Sequence, residues 1–366
     1  MPDPAEIQAV AARISAHFRA AGAVPVSADI LQPADTLLDL YGEDIRARAF
    51  VTRDPVAGEM MLRPDFTVPV VQAHMTNGAE PARYTYEGPV FRKQDQPGGR
   101  AREYLQVGYE LFDRTDPAAA DAEVFALIAT ALEGLPLRPV TGDIGVLRAA
   151  VAGLSLSEHR RNALMRHIWR PARFRALIER FTGRGPLAEA RAALTDRLRA
   201  APTDALIAKA GPVIGLRGAD EIAARVATLL ADAAEPELPA AEVALMDAVL
   251  SVAMPARAAL DHLRALDWPA LAPALDRLAR RLDALEARGV ASDALPFEAS
   301  FGRSSMEYYD GFVFGFVADG ADLPPVATGG RYDALTAVLG QGRAIPAVGG
   351  VIRPALVAAL EGARCR

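Results

Sequence analysis

The stretch FRKQDQPGGRAREYLQVGYE, Phe91 to Glu110, decides how this chain is to be folded. Pro97, Gly98 and Gly99 mark a turn, Arg92 stands at its mouth, and a strand follows. Successive side chains of a strand point to opposite faces, so Tyr104, Gln106, Gly108 and Glu110 share one face, and Leu105, Val107, Tyr109 and Leu111 share the other. The first face is polar with a gap at the glycine. A Gly between an amide and a carboxylate leaves room for a ligand's backbone, and a partly buried Glu110 requires a cationic partner such as an α-ammonium group. The plain alternative is a solvent-facing strand with a bulge at Gly108 and a surface turn before it. Arg92 fits a carboxylate or phosphate, because a guanidinium can bond two oxygens at once.

The flanks extend the pattern in both directions. Ile7, Val10, Ala11, Ile14 and Phe18 have helical spacing, and the region from Val24 to Glu110 is rich in β-branched and aromatic residues. Asp116-Pro117 reads as an N-cap and first-turn proline opening a helix, and LRPVTGDIGVL reads as a strand. From about 149 to 286 come successive amphipathic helices broken by Pro and Gly, and sheet character returns from Pro296. The expected fold is α+β, with one discontinuous sheet domain (1–148 and 287–366) interrupted by a helical insertion (149–286).

Composition narrows the function classes. The chain has 366 residues, 51% of them hydrophobic, and a formal net charge of −6, which gives no support to a nucleic-acid-binding surface. No apolar run approaches the roughly 20 residues that cross a bilayer, and the start of the chain reads as an amphipathic helix, so a cytoplasmic location without membrane attachment is expected. The single Cys365 and five scattered His show no metal-ligand spacing, so neither metal nor cofactor is expected. All basic residues except Lys93 and Lys209 are arginine, so spacing carries more information than any lone Arg.

Three further elements carry chemistry. In MLRPDFTVPVVQ, Asp65 and Thr67 share a face if the segment is extended, or serve as helix caps. In MEYYDGFVF, Tyr308 and Tyr309 are either ligand contacts or core. In TGGRYDAL, two glycines allow close backbone approach without completing a phosphate-loop motif.

In this order, RPDFT, GPVFR…GGRAREYLQVGYE, EYYDGFVF, GGRYDAL and AVGG resemble the catalytic core of histidyl-tRNA synthetase, a class II aminoacyl-tRNA synthetase. The resemblance implies a mainly antiparallel sheet flanked by helices, with a helical insertion between the second and third class motifs. It also implies a histidine pocket: Asp65 (where the family usually has Glu) and Thr67, Gln106 and Glu110, Tyr308 and Tyr309, with Arg92 from the second motif.

The nucleotide half departs from the family. Gln94 replaces the Glu that faces adenine, Ser304 takes the place of the catalytic arginine with Arg303 one residue away, and Leu356 stands where the third motif has its ATP-holding arginine, with Arg353 three residues early. No anticodon-binding domain is expected after that motif. A kept amino-acid half and an altered nucleotide half resemble the regulatory subunit of ATP phosphoribosyltransferase. That family implies a non-catalytic subunit in the first step of histidine biosynthesis. It would self-associate as a dimer, join a short catalytic subunit in hetero-octamers, bind L-histidine for feedback inhibition, and have no use for tRNA. The alternatives are a stand-alone amino-acid-activating ligase using Arg303 and Arg353 in shifted positions, and a ligand-free interaction scaffold.

Overall fold

The computed structural model describes residues 2–34, 49–94, 101–185, 188–212, 216–303, 308–319 and 323–364. The Pro97-Gly98-Gly99 turn, Ser304 and Cys365 lie outside these ranges. The chain forms two compact units, Met1–Ala149 with Leu250–Arg366, and Ala150–Val249.

The first unit is α+β and contains every described strand: β1 (Val24–Pro25), β2 (Leu31–Pro33), β3 (Val51–Asp54), β4 (Gly58–Leu62), β5 (Ala82–Phe91), β6 (Glu103–Phe112), β7 (Leu137–Asp143), β8 (Ala253–Pro255), β9 (Pro296–Glu298), β10 (Phe312–Ala318), β11 (Ala327–Arg331) and β12 (Ala347–Ile352). Nine of them form one sheet in the order β1-β5-β6-β12-β11-β10-β7-β9-β8, and β2-β4-β3 form a small second sheet. Pairing is antiparallel except for β1 with β5 and β7 with β9. The β5–β6 register runs unbroken from Ala82↔Phe112 to Phe91↔Glu103, so Gly108 sits in regular strand and makes no bulge.

Helices cover both faces. Asp3 and Glu6 form a capping box that starts the helix Pro4–Ala20, and its buried stripe of Val10, Ala11, Ile14 and Phe18 meets β6, with the Phe18 and Tyr109 rings 5.4 Å apart. The helix Pro117–Ala131 is capped by the Asp116 carboxylate, which accepts from the Ala118 and Ala119 amides. Its Phe125 ring packs against Phe314 and Phe316 of β10. On the other face the helix Thr67–Asn77 lies over the β6 residues that alternate with Tyr109, and His74 stacks on Phe112 at 4.0 Å. Both faces of β6 are therefore buried from Gln106 to Phe112, which overturns the solvent-facing reading of that strand.

The second unit is helical. Leu164, Ile168, Phe174, Ile178, Phe181, Leu238, Met246 and Val249 make its core. Inside it the buried Asp232 carboxylate accepts from Arg160, Arg180 and Arg191. The sequence reading ends the helical insertion at 286, whereas the compact unit ends at Val249. The helices Ala256–Ala265 and Ala272–Glu286 belong with the sheet, because Arg281 reaches Asp121 of the helix Pro117–Ala131 and Asp143 of β7. Among the described residues no helix is long and apolar enough to cross a membrane.

Candidate functional site

Glu110 is the centre of the site. It projects from β6 into the space under the helix Thr67–Asn77 and is 1% exposed. Three hydroxyls hold its carboxylate: Thr67 Oγ1 and Tyr86 Oη donate to Oε1, each at 3.0 Å, and Tyr332 Oη donates to Oε2 at 2.6 Å. These hydroxyl donors satisfy lone pairs of the carboxylate without neutralising its charge.

The neighbouring backbone is cleared for this group. Gly349 of β12 stands opposite Glu110, and a Cβ there would lie 1.5 Å from Oε2. Gly108 clears room of a different kind. A Cβ on it would lie 2.1 Å from Tyr86 Cζ, so the gap foreseen for a ligand's backbone is filled by the tyrosine that serves Glu110. Tyr86 is itself stacked on Phe66 at 4.4 Å, with the Arg63 guanidinium 3.9 Å from the Phe66 ring centre.

The other expected residues gather around this centre. Thr67 opens its helix, but neither it nor Asp65 is a cap, since the N-cap position is Phe66 and no side chain caps it. Thr67 faces Glu110 and also accepts from Tyr308 Oη at 3.4 Å. The Tyr308 ring meets Tyr309 at 4.8 Å and Tyr332 at 6.0 Å, both edge to face. Asp65 is buried within electrostatic reach of Glu110, Tyr86 and Tyr309. Gln106, four residues before Glu110 on the same face, is buried, and its Oε1 accepts no hydrogen bond among the described residues. A buried amide oxygen without a donor is uncommon and points to a ligand donor.

Arg92 folds back so that Nε donates to Pro64 O at 3.1 Å, and Arg353 donates to Pro325 O. These two guanidiniums lie within electrostatic reach of each other, and Arg353 also interacts with Tyr104 and Tyr309. Burial pushes the Arg353 guanidinium down, and the nearby charge of Arg92 adds to that. Asp65 and Glu110 thus make a carboxylate pair, and Arg92 and Arg353 make a cationic pair within electrostatic reach of Tyr309 through Arg353. Arg303 is buried.

Tyr86 and Tyr332 were not among the residues expected from sequence. Tyr86 lies in ARYTYEGPVF, where aromatic residues read as sheet core, and Tyr332 lies in GGRYDAL, where the two glycines are the stronger signal.

Burial pushes the Glu110 carboxyl up to about 7, with Asp65 adding to the rise and Tyr332, Thr67 and Tyr86 opposing it. From its ordinary 4.5 to about 7 the folded chain then holds a proton that the unfolded chain has lost. Stability contributed by this group falls as pH rises through that window, by roughly 3 kcal/mol in all. Glu110→Gln, which does not titrate, should flatten the difference. Thermal melts of both proteins from acid to neutral pH check this, and parallel curves would show that Glu110 ionises as an ordinary carboxyl.

The comparisons with known proteins fit this geometry. A family model described as Histidyl-tRNA synthetase matches residues 2–241 and 219–355. A protein of Mesorhizobium japonicum named ATP phosphoribosyltransferase regulatory subunit is 34% identical over 362 residues, covering 93% of this chain and 94% of its own. This chain belongs to that family. A second member, from Brucella anthropi, is 34% identical over 345 residues, covering 88% of this chain and 89% of its own. Among solved structures, an ATP phosphoribosyltransferase regulatory subunit/histidyl-tRNA synthetase from Bacillus halodurans matches with a TM-score of 0.68 at 21% identity, over 98% of this chain and 81% of that one. A histidine–tRNA ligase subunit from Alicyclobacillus acidocaldarius matches with a TM-score of 0.62 at 24% identity, over 100% and 96%. These two share the class II synthetase fold with the regulatory-subunit family.

Proposed function

We propose that this chain is the non-catalytic regulatory subunit of an ATP phosphoribosyltransferase and that the Glu110 site binds L-histidine as the feedback effector. The observation that carries the ligand is one polar face of β6: a buried carboxylate held by three hydroxyls, and, four residues away, a buried Gln106 oxygen without a donor among the described residues. Asp65 and Glu110 offer negative charge to an α-ammonium group, while Thr67, Gln106, Tyr308 and Tyr309 offer polar and aromatic surfaces to an imidazole. Arg92 suits the α-carboxylate.

The regulatory role rests on the family name and on the departures at Gln94, Ser304 and Leu356. Catalysis on ATP and phosphoribosyl pyrophosphate then belongs to a short catalytic partner, joined with dimers of this chain in a hetero-octamer in the cytoplasm. This chain neither aminoacylates nor binds tRNA. Histidine bound here acts on substrate bound there through a coupling free energy of about 1–3 kcal/mol.

Calorimetric titration with L-histidine, repeated with Mg-ATP, tests the proposal. Histidine should bind with an affinity that ATP leaves unchanged, and Glu110→Gln should weaken it at least about tenfold, as loss of a charge-assisted contact does. A cation arriving at Glu110 holds the carboxylate ionised, so below neutral pH binding should release a proton and its heat should depend on the buffer. The proximity of Arg353 to Arg92 and Tyr309 favours a second reading, an amino-acid-activating ligase. Histidine heat that appears only with ATP would establish that reading instead.

A further inference from the structure

A second set of buried charges lies across the sheet from Glu110. Arg331, the last residue of β11, is fixed on every side: Nε and Nη2 donate to Asp121 Oδ1 at 3.0 and 2.7 Å, Nη2 donates to Pro117 O at 2.7 Å, and Nη1 donates to Asp333 Oδ1 at 2.9 Å. Asp121 in turn accepts from Arg281 Nε at 3.1 Å, and Arg281 donates to Asp143 Oδ2 through Nη1 and Nη2 at 2.7 and 2.6 Å. Asp121, Arg281, Asp143 and Arg331 are all buried. None of the ligand-facing chemistry uses them.

Their placement along the chain gives them a role. Arg331 is followed by Tyr332, whose hydroxyl makes the short bond to Glu110. Consecutive residues of an extended strand point to opposite faces, so Arg331 is anchored among the helices on one side while Tyr332 reaches the site on the other. Asp333 carries the anchoring onward by accepting from the Ala347 amide at 2.9 Å, next to the β12 segment that faces Glu110. The second site tyrosine is tied in the same way. Asp310, which follows Tyr309, donates its amide to Arg331 O at 3.0 Å and accepts from the amides of Asp333 and Ala334 at 3.1 and 2.7 Å.

We propose that the buried Asp121–Arg331 pair is the positioning device of the histidine site, holding the Tyr332 hydroxyl on Glu110 from the far side of the sheet. This rests on the histidine reading for its ligand, but its core concerns two groups of the free protein. Glu110 is faced by Tyr332, by Thr67 and Asp65, by Tyr86 from β5, and by Tyr309. Of these, Tyr332 opposes the rise of the Glu110 carboxyl most. Loosening Arg331 releases Tyr332 and lets Glu110 rise further.

The experiment titrates the Glu110 carboxyl by carbon-13 NMR of glutamate-labelled protein without ligand, with Glu110→Gln identifying the resonance. Tyr332→Phe should move the midpoint upward by about half a unit or more. Asp121→Asn should move it the same way, and the Asp121→Asn, Tyr332→Phe double variant should match Tyr332→Phe alone. Asp143→Asn, which touches Arg281 but not Arg331, should leave the midpoint nearly unchanged while lowering the melting temperature. Histidine affinity should fall about tenfold in Asp121→Asn and no further in the double variant. Should Asp121→Asn not fold, Arg331→Lys, which keeps the charge and loses the fork, replaces it. Equal shifts from Asp121→Asn and Asp143→Asn, or additive effects of Asp121→Asn and Tyr332→Phe, would overturn the positioning role. Failure of the wild type to bind histidine, with these shifts intact, would remove the histidine reading and leave the positioning role standing.

Discussion

Replacing Arg281 with methionine will lower the unfolding free energy of the sheet unit by about 3–5 kcal/mol, the largest stability loss expected from one substitution in this chain. The guanidinium spans Asp121 and Asp143, both buried, and sits 4.5 Å from the Phe312 ring centre. Methionine fills most of the volume and covers the ring, but it leaves Asp143 without its guanidinium and Asp121 with only Arg331. Two carboxylates without enough cationic charge in a low-dielectric interior must take up protons or draw in water, and either costs more than the lost bonds. Urea unfolding measures the effect. Because the chain has two compact units, the signal should come from Trp268 in a Trp169→Phe background, which reports the sheet unit alone. A loss below about 1 kcal/mol would mean that the cluster behaves like a solvated surface pair. Replacing Asp143 and Arg281 together by apolar residues, which leaves Asp121 paired with Arg331, should recover much of the loss, because removing both members of an ionic pair is far less harmful than removing one.

Gly349→Ala will have the largest expected effect on binding. The new methyl would lie 1.5 Å from Glu110 Oε2 and 2.9 Å from Tyr109 O. The first atom belongs to a side chain, but one held by Thr67, Tyr86 and Tyr332, and the second is backbone of the paired strand. Glu110 must turn away, breaking the short bond from Tyr332, or β12 must separate from β6. Losing one to two charge-assisted hydrogen bonds in the interior costs about 3 kcal/mol, a loss of roughly a hundredfold in histidine affinity. Calorimetry on the folded variant checks it, with circular dichroism to show that the sheet remains. Binding unchanged within a factor of two would place the ligand away from the Oε2 side of Glu110.

Much of this arrangement was legible in the sequence where the cause is local. The Asp116-Pro117 cap is set by its own residues, and the two-residue alternation of EYLQVGYELF put Gln106 and Glu110 on one face whatever lay above them. What lay above them was not legible, since burial of that face depends on a helix that starts at Thr67. The end of the helical insertion was misplaced for a related reason. ALDRLARRLDALEARG has the same amphipathic period as the helices before it, and nothing in the period says which neighbour its buried stripe meets. Arg281 looked like one arginine among many, and only the fold brings it to Asp121 and Asp143. Tyr86 was hidden because a tyrosine in a strand reads as core, and Tyr332 because it follows two glycines at the end of one; both are core residues whose hydroxyls reach Glu110.

The order of the sheet has a consequence for how the protein is made. β6 finds its second neighbour in β12, and Glu110 meets Tyr332 only after the helical unit between them in the chain has been synthesised. As the chain leaves the ribosome, β5 and β6 can pair at once, but one edge of that hairpin and a carboxyl bound for the interior wait in water for the last tenth or so of the sequence. The solubility of nascent chains paused before β11 should therefore depend on Glu110 being charged, since charged side chains discourage association at an open sheet edge.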